Sequence, residues 1–287
     1  MNGPGRGEPP APGTACGPGR WPALLHTVPR RIRARCTTPR AGGIDRHERL
    51  LLRLGLGPST AEVTRGFLDA ALPPSGAAIV DAGCGHVSAL RQFRARADRI
   101  VGVDVHAPDA PLPWLDRFVR ADLCADADAL PAASLDLAFS SFAFEHLRDP
   151  DAALRVLARW LRPGGWLVIT TVNRAHPLVA AYCGMPRPIA APLQRLVKAA
   201  PGDAHPLVAT HNTPRRLRTA LREAGFSDIE IVTTDHLARA WRRRLPAFAL
   251  GLVGDLAAHP FPARRSTIVV RARCGTPAIA TEEEPRA

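Results

Sequence analysis

The sequence contains almost no lysine and no long apolar segment. Lys198 is the only lysine among 38 lysine and arginine residues, so arginine supplies nearly all of the positive charge, which indicates a compositional bias. A membrane-spanning helix needs about 18 or more consecutive apolar residues. The longest candidate, residues 245–258, contains Gly251, Gly254 and Asp255. We therefore expect neither a membrane-spanning helix nor a fibrous protein.

Paired cysteines are also missing. The chain has six cysteines, but none stands in a Cys-x-x-Cys pair and none has a histidine at zinc-ligand spacing. The apolar stretch at residues 21–25 is too short for the core of a signal peptide and contains Pro22. We therefore expect reduced thiols in a cytoplasmic protein, and we predict no metal site.

The net charge of +12 first suggests a nucleic-acid-binding protein, but its distribution argues against one. Residues 1–49 carry a net charge of +6, residues 50–172 carry −2 and residues 173–287 carry +8. Duplex-binding domains concentrate positive charge on the recognition element, whereas here it lies outside the middle of the chain. We predict no specific nucleic-acid partner. Hydrophobic residues make up 46%, which is enough for a packed core.

The densest basic cluster, Trp241–Leu245, stands directly before the apolar run that ends at Ala258. Three interpretations are open: contact with an anionic membrane surface, binding of an acidic substrate, or a solvated end of a core helix. Peripheral contact with an anionic membrane is therefore one predicted interaction, while the oligomeric state has no signal in the sequence.

Composition divides the chain into three parts. Residues 1–43 are rich in proline, glycine and arginine and lack apolar periodicity, so we predict a disordered N-terminal extension. Residues 44–274 form the predicted domain, and residues 275–287 form a C-terminal tail. Inside the domain, residues 173–212 lack regular periodicity and contain many prolines, which is typical of a lid or substrate-binding insertion.

Short apolar runs alternate with capped helices along the predicted domain. The strand-like runs are Ala77–Val80, Ile100–Val103, Phe118–Val119, Leu135–Phe142, Trp166–Val172, Ile229–Val232 and Thr267–Val270. Helix N-caps are predicted at Asp45, Asp149 and Thr213. This alternation predicts a three-layer α/β fold with a parallel sheet, whose ligands bind beyond the carboxyl ends of the strands. Aspartates follow three of the strands.

A glycine-containing loop, Asp81–Gly85, follows the first strand. Glycines there allow a tight turn and bring backbone N–H groups against a ligand. A dinucleotide site would need Gly-x-Gly-x-x-Gly or Ala, but the third position is Ser88. An S-adenosylmethionine site is the alternative, because an acidic residue at the strand end suits a cationic ligand. Asp104, 19 residues beyond Gly85, suits the ribose hydroxyls of either ligand.

Several sequence segments distinguish between a dinucleotide site and an S-adenosylmethionine site. They are Val80–Gly85, Gly102–Asp104, Asp122–Leu123, Leu130–Asp136, Phe144–Leu147 and Leu161–Gly165. Their order and spacing resemble those of class I S-adenosylmethionine-dependent methyltransferases of the broad bacterial small-molecule type, over roughly Ala78 to Phe226. The resemblance implies a three-layer Rossmann-like methyltransferase fold with a mainly parallel central sheet. It also implies S-adenosyl-L-methionine as cofactor and a small, apolar or lipid-like acceptor.

The resemblance further assigns cofactor contacts. The assigned residues are Asp81, Ala82, Gly83, Cys84, Gly85, Asp104, Val105, Asp122, Leu123 and Ser140. Those of the glycine loop would line the methionine portion, and Ser140 would lie near the same end. Asp104 would accept hydrogen bonds from the ribose hydroxyls. Val105, Asp122 and Leu123 would meet the adenine.

One position departs from the family pattern. The glycine that usually stands two residues after Gly85 is Val87 in this sequence. A β-branched residue does not easily adopt a positive φ. The loop must therefore be right-handed at Val87, or the site must be altered.

Glu145 and His146 follow the fourth strand, near where an acceptor would approach. His146 is the candidate general base if the acceptor is a hydroxyl, or else it caps the next loop. Some methyltransferases use such a pair with an upstream glutamate to hold a divalent metal, but the corresponding positions here are Ser141 and Phe142. Further histidines that could face a substrate, or be ordinary loop residues, are His176, His205 and His211.

Two other functions remain alternatives to methyl transfer. One is an NAD-dependent dehydrogenase, which Ser88, Asp122 and Pro163-Gly164-Gly165 disfavour. The other is a non-catalytic protein on a Rossmann-like fold that binds nucleic acid or an anionic membrane through the flanking arginines.

Overall fold

The computed structural model describes residues 45–186, 188–190, 207–208 and 211–275. Its α-helices are α1 (Arg46–Arg53), α2 (Thr60–Ala71), α3 (Pro150–Trp160), α4 (Pro177–Cys183), α5 (Pro214–Glu223), α6 (Leu237–Ala240) and α7 (Leu245–Ala258). Short 3₁₀-helices span Ala89–Arg96, Phe144–His146 and Pro262–Arg264. Within the described residues, none of the helices is long and apolar enough to cross a bilayer.

Seven strands form one sheet in the order β3-β2-β1-β4-β5-β7-β6. They are β1 (Ala77–Ala82), β2 (Ala97–Asp104), β3 (Arg117–Arg120), β4 (Leu135–Ser141), β5 (Leu161–Val172), β6 (Phe226–Thr234) and β7 (Thr267–Cys274). Strands β1 to β5 pair in parallel, whereas β7 is antiparallel to both β5 and β6. The predicted mainly parallel sheet is confirmed.

The predicted helix starts are confirmed by their hydrogen bonds. The side chains of Asp45, Asp149 and Thr213 each accept from a backbone N–H in the first turn of the following helix. Such caps satisfy N–H groups that have no partner inside the helix. At the start of α2, Ser59 and Glu62 form a reciprocal capping box.

Strand β5 is longer than predicted. It begins at Leu161, directly after α3 ends at Trp160, so Pro163-Gly164-Gly165 lies inside the strand instead of stopping the helix. The pairing of β5 with β4 is irregular between Leu135 and Leu137, which accommodates this segment. The predicted start of this strand at Trp166 was therefore wrong by five residues.

Two apolar clusters sandwich the sheet and produce three layers. One contains Trp160 of α3 and Leu221 of α5 together with Val80 and Ala138 of the sheet. The other contains Phe67 of α2 and sheet residues that alternate with these, including Ile79 and Phe139. Alternate burial on both faces is expected for strands of a parallel sheet covered by helices.

The carboxyl ends of β1, β2, β4 and β5 lie at one edge of the sheet because these strands are parallel. The antiparallel β7 starts at this same edge, since Thr267 pairs with both Val172 and Thr234. The predicted insertion 173–212 departs from this edge and contains helix α4. The predicted extension 1–43, most of the tail 275–287 and His205 lie outside the described residues.

Candidate functional site

The loop after β1 needs glycine for two different reasons. Gly83 has a φ of 74°, and a Cβ there would lie 2.4 Å from the Cβ of Ala143. Gly85 has a φ of 45°, with open space where its Cβ would be. The first glycine therefore allows two loops to touch, and the second leaves room on the solvent side of the loop.

Val87 keeps the right-handed conformation that its side chain requires. It is not among the residues with positive φ, and its side chain is 80% exposed. The departure from the glycine of the family pattern is therefore accommodated without strain in the loop.

Asp81, at the end of β1, is a buried carboxylate without a full set of partners. Its Oδ2 has no hydrogen-bond partner among the described residues, and neither has the buried Nε1 of Trp114. Burial raises the pKa of Asp81 to about 7. A buried, unpaired carboxylate costs free energy unless a donor or cation meets it. The position therefore fits the amino end of the predicted cofactor.

Asp104, at the end of β2, is held against the glycine loop. Its Oδ2 accepts from the N–H of Gly85 at 3.2 Å, and its Oδ1 accepts from the N–H of His106 at 3.0 Å. A carboxylate oxygen can accept more than one hydrogen bond, so both retain capacity for ribose hydroxyls. The structure thus brings Asp104 and Gly85 together, while their contacts with the cofactor stay a prediction.

Two of the predicted cofactor residues have side chains that belong to the core. Ala82 is fully buried, and Leu123 packs in the apolar cluster that contains Trp160. Any contact they make with a ligand would use backbone atoms.

Cys84 is buried beside Gly102 of β2, where an added Cβ would lie 3.0 Å from the cysteine sulfur. Burial, with Asp81 and Asp104 nearby, raises the pKa of the Cys84 thiol to about 12. The thiol is therefore protonated at neutral pH and packs as a small apolar group.

The predicted adenine contacts Val105 and Asp122 lie at the exposed rim. Both side chains are exposed, and the Oδ1 of Asp122 accepts from the N–H of Cys124 at 2.8 Å. This Asx turn fixes the carboxylate near the carboxyl edge of the sheet.

Ser140 is not placed next to Asp81. Asp81 pairs with Phe139 across β1 and β4, so side-chain alternation directs Ser140 to the opposite face of the sheet. Ser140 is fully buried, and its Oγ has no hydrogen-bond partner among the described residues. Its role at the methionine end stays a prediction.

Phe142 connects the glycine loop to the far half of the sheet. It has a φ of 53°, its N–H donates to the carbonyl of Thr170, and the next residue, Ala143, touches Gly83. The Phe142 ring stacks on His236 with centroids 5.4 Å apart. A positive φ in a bulky residue is uncommon and marks a conformation held by its surroundings.

His236 was not predicted from the sequence. The buried Nδ1 of this residue has no hydrogen-bond partner among the described residues. Burial, with a smaller effect from the Arg239 charge, lowers the pKa of His236 to about 4, so the imidazole is neutral at physiological pH. The available signal was its position just beyond the carboxyl end of β6, but the predicted strand stopped at Val232.

Glu145 is tied into the end of β5. The Thr171 hydroxyl donates to its Oε2 at 2.7 Å, and Asn212 donates in turn to the Thr171 oxygen. The carbonyl of Glu145 accepts from the N–H of Val208 at 2.8 Å. Within the described ranges, no group of three His, Cys, Asp or Glu side chains could hold a metal ion. The hydrogen bonds of Glu145 tie the loop after β4 to the end of β5.

The histidines named from the sequence occupy three different settings. His146 is half-buried in the 3₁₀-helix after β4, and its role as a base stays a prediction. His176 is fully buried, and its side chain accepts from Leu178 to cap α4. His211 lies 3.1 Å from the carboxylate of Asp151. The last two are held by these contacts within the protein.

Comparison with known proteins finds one matched region, which contains the predicted cofactor residues and Phe142 but not His236. Residues 59–231 match a family model described as a methyltransferase domain.

Two curated relatives are O-methyltransferases. The malonyl-[acyl-carrier protein] O-methyltransferase of Pseudescherichia vulneris is 32% identical over 120 residues, covering 40% of this chain and 48% of that protein. The ubiquinone biosynthesis O-methyltransferase of Paracidovorax citrulli is 28% identical over 119 residues, covering 38% of this chain and 49% of that protein. This chain thus spans about half the length of these relatives.

A solved structure supports the same architecture. Phosphoethanolamine N-methyltransferase 2 of Haemonchus contortus, in complex with phosphomonomethylethanolamine and S-adenosylhomocysteine, superposes with a TM-score of 0.50. The two sequences are 17% identical, and the match covers 74% of this chain and 52% of that chain. At this identity the likeness shows the fold alone.

Proposed function

This chain belongs to the methyltransferase-domain family with S-adenosyl-L-methionine as its cofactor, and on that basis we propose that it methylates a small-molecule acceptor. The observation that carries the proposal is the buried Oδ2 of Asp81, which lacks a partner among the described residues beside a glycine loop at the carboxyl edge of the sheet. A dinucleotide-dependent dehydrogenase does not need such a carboxylate beneath the loop.

The protein's own residues would bind and orient the cofactor. When bound, S-adenosyl-L-methionine supplies a methyl group on a sulfonium, which an acceptor atom displaces in line. Asp81 would hold the amino group, and the backbone of Gly83–Gly85 would line the methionine portion. Asp104 would accept from the ribose hydroxyls, and Asp122 would lie at the adenine rim. Positioning of this kind can supply much of the reduction in the barrier.

We assign the acceptor side of the site to the Phe142–His236 pair. Phe142 lies one residue from the contact between Ala143 and Gly83, so the pair stands next to the glycine loop. With a pKa of about 4, His236 is a weak base but a good neutral hydrogen-bond acceptor. It would orient an acceptor hydroxyl through Nδ1, while His146 is the candidate to remove a proton.

The apolar ring of Phe142 and the neutral imidazole of His236 favour an apolar or lipid-like acceptor. Phe142 offers a ring, and the polar atom beside it belongs to a neutral imidazole. A ubiquinone biosynthesis O-methyltransferase among the relatives is consistent with that class. We place the reaction in the cytoplasm.

Calorimetry with S-adenosyl-L-methionine tests the cofactor site. The wild type should bind, and Asp104→Ala should weaken binding by about tenfold or more, since hydrogen bonds to a charged group contribute about 1.5–3 kcal/mol. Asp98→Ala is the matched control, because Asp98 is an exposed aspartate at the start of the same strand. No binding by the wild type, or equal affinity in Asp104→Ala, would contradict the assignment.

Mass spectrometry of a cell extract incubated with the protein and isotopically labelled cofactor tests the acceptor. A labelled apolar product is the expected result. Label that appears only in water-soluble, charged metabolites would contradict the acceptor class but not the methyl transfer itself.

A further inference from the structure

Helix α7 is apolar on every side, although it lies at the surface. Its only ionisable residue is Asp255, which is buried and accepts from the N–H of Ala238 at 2.9 Å and the hydroxyl of Ser266 at 2.8 Å. A helix that is apolar all round is normally enclosed by protein or lipid. In α7 the one charged side chain points into the protein, while apolar side chains are exposed.

Small residues form the inner side of α7. A Cβ added to Gly251 would lie 2.9 Å from the backbone of Leu237 and Ala238, and one added to Gly254 would lie 2.4 Å from the Leu178 side chain. The helix therefore packs closely on α6 and α4 through its glycines. Phe248 also packs inward, in a cluster with Leu51 and Leu56, while Leu245, Leu250, Val253 and Leu256 are left exposed.

The outward side chains form a continuous apolar surface, which we call the α7 face. It consists of Leu245 (74% exposed), Leu250 (45%), Val253 (66%), Leu256 (38%) and, just beyond the helix, Phe261 (55%). Leu250, Val253 and Leu256 recur every three residues, so they share one side of the helix. Nothing polar is exposed between them on this side.

Arginines flank the α7 face at both ends. Arg242, Arg243 and Arg244 are exposed directly before the helix, and Arg264 is exposed after it, with its guanidinium 5.6 Å from the Phe261 ring. Asp255 is the only acidic residue between 241 and 266, and it is buried. The exposed charged residues directly before and after α7 in the sequence are therefore positive, although Arg242 is paired with the exposed Asp45.

We propose that the α7 face docks this protein onto an anionic lipid bilayer. The apolar side chains enter the boundary between headgroups and acyl chains, and the flanking arginines meet lipid phosphates. Fourteen residues of helix span about 21 Å, which suits a helix lying in the plane of the membrane surface. This goes beyond methyl transfer and does not depend on which acceptor is used.

Charge complementarity selects the lipid over other occupants. Residues 1–44 contain seven arginines and one glutamate, so they carry the same sign as the arginines that flank the α7 face. A second copy of the chain would likewise bring positive charge against positive charge. Anionic headgroups beside an acyl layer match both the apolar surface and its rim.

Co-sedimentation of the full chain with vesicles tests the proposal. We expect binding to phosphatidylcholine vesicles with about 30% phosphatidylglycerol, and little binding to phosphatidylcholine alone. The double variant Leu250→Asp/Val253→Asp should lose about tenfold or more of the binding, because charge in the acyl boundary is costly. Val87→Asp is the control, because Val87 is also a highly exposed valine but lies outside the α7 face. Arg243→Glu/Arg264→Glu should abolish the preference for anionic vesicles.

Three results would overturn the proposal. The first is that the wild type does not bind anionic vesicles. The second is that Leu250→Asp/Val253→Asp binds like the wild type, which would assign vesicle binding to other arginines. The third is a wild-type dimer in sedimentation velocity that Leu250→Asp/Val253→Asp converts to monomer without any vesicle binding, which would make the α7 face a contact between copies. Unchanged thermal unfolding of the variants establishes that they are folded.

Discussion

The rings of Phe142 and His236 stack with their centroids 5.4 Å apart and an interplanar angle of 25°. Phe142 directly follows β4, and His236 lies two residues after β6. Their contact therefore spans the width of β5 and β7 in the sheet. The buried Nδ1 of this imidazole has no hydrogen-bond partner among the described residues. The site therefore combines residues from both halves of the sheet.

Two substitutions at His236 test separately the stacking of its ring and the hydrogen bond made by its Nδ1. His236→Phe keeps the stacking and should leave cofactor affinity within about twofold while lowering the rate of acceptor methylation about tenfold, the loss expected from one hydrogen bond of about 1.4 kcal/mol. His236→Asn keeps a polar atom close to Nδ1 and should retain more of the rate. Label transfer to the acceptor and calorimetry with the cofactor measure the two quantities. Full activity of His236→Phe would show that Nδ1 is not used.

Asp81 should make both stability and cofactor binding depend on pH. Its pKa is about 7 in the folded protein against the ordinary aspartate value of 3.8, so the unfolded state releases the proton first. The free energy of unfolding contributed by Asp81 should therefore fall as the pH rises from about 4 to about 7. Asp81→Asn removes this loss and should raise the free energy of unfolding at pH 8 by about 1–3 kcal/mol without cofactor, since one pKa unit corresponds to about 1.4 kcal/mol. Urea unfolding at pH 5 and pH 8 measures the difference.

Cofactor binding should show the opposite trend. The amino group of the cofactor is attracted to the ionised carboxylate, so wild-type affinity should increase as the pH rises through about 7. Asp81→Asn should bind more weakly and lose this dependence. Calorimetry at pH 6 and pH 8 measures it, with Asp98→Asn as the control. Parallel pH profiles for the wild type and Asp81→Asn would refute the role of Asp81.

Gly83 and Gly76 form a matched pair of glycines. Both have left-handed backbones, with φ of 74° and 78°, but a Cβ at Gly83 meets Ala143 at 2.4 Å whereas one at Gly76 meets nothing within 4 Å. Gly76→Ala should cost only the left-handed strain, about 1–2 kcal/mol, and leave cofactor affinity unchanged. Gly83→Ala should also displace the Ala143 loop and weaken cofactor binding about tenfold or more. Calorimetry with the cofactor compares the two, and equal effects on affinity would contradict this interpretation.

Arg239 should stabilise the protein far more than its neighbour Arg242. The buried guanidinium of Arg239 donates to the Glu48 carboxylate and to the carbonyls of Asp235, Leu56 and Gly57. Arg239→Met leaves Glu48 without its partner and should lower the free energy of unfolding by about 3 kcal/mol. Arg242→Met removes an exposed pair with Asp45 and should cost about 1 kcal/mol or less. Urea unfolding measures both, and a similar cost for the two substitutions would be the contrary result.

Local patterns in the sequence predicted much of the fold. The caps at Asp45, Asp149 and Thr213 depend on a hydrogen bond within one helical turn, so adjacent residues suffice to identify them. Strands β1 and β2 were predicted because apolar runs ending in aspartate are local as well. Strand β5 was misjudged at its start, because Pro163-Gly164-Gly165 is typical of a helix stop and only the pairing with β4 and β7 extends the strand through it.

The sequence by itself determined the order of the chemical groups along the strands: a glycine loop after β1, a carboxylate after β2, and a glutamate and histidine after β4. These are spacings along one chain, and parallel strands bring their ends to one edge whatever the details of packing. Only the tertiary structure decided that Asp81 is buried, that Ser140 faces the other side of the sheet and that His236 meets Phe142, because each depends on residues distant in sequence. The same holds for α7: its composition is apolar all round, and the close packing of Gly251 and Gly254 on α6 and α4 decides which side faces outward.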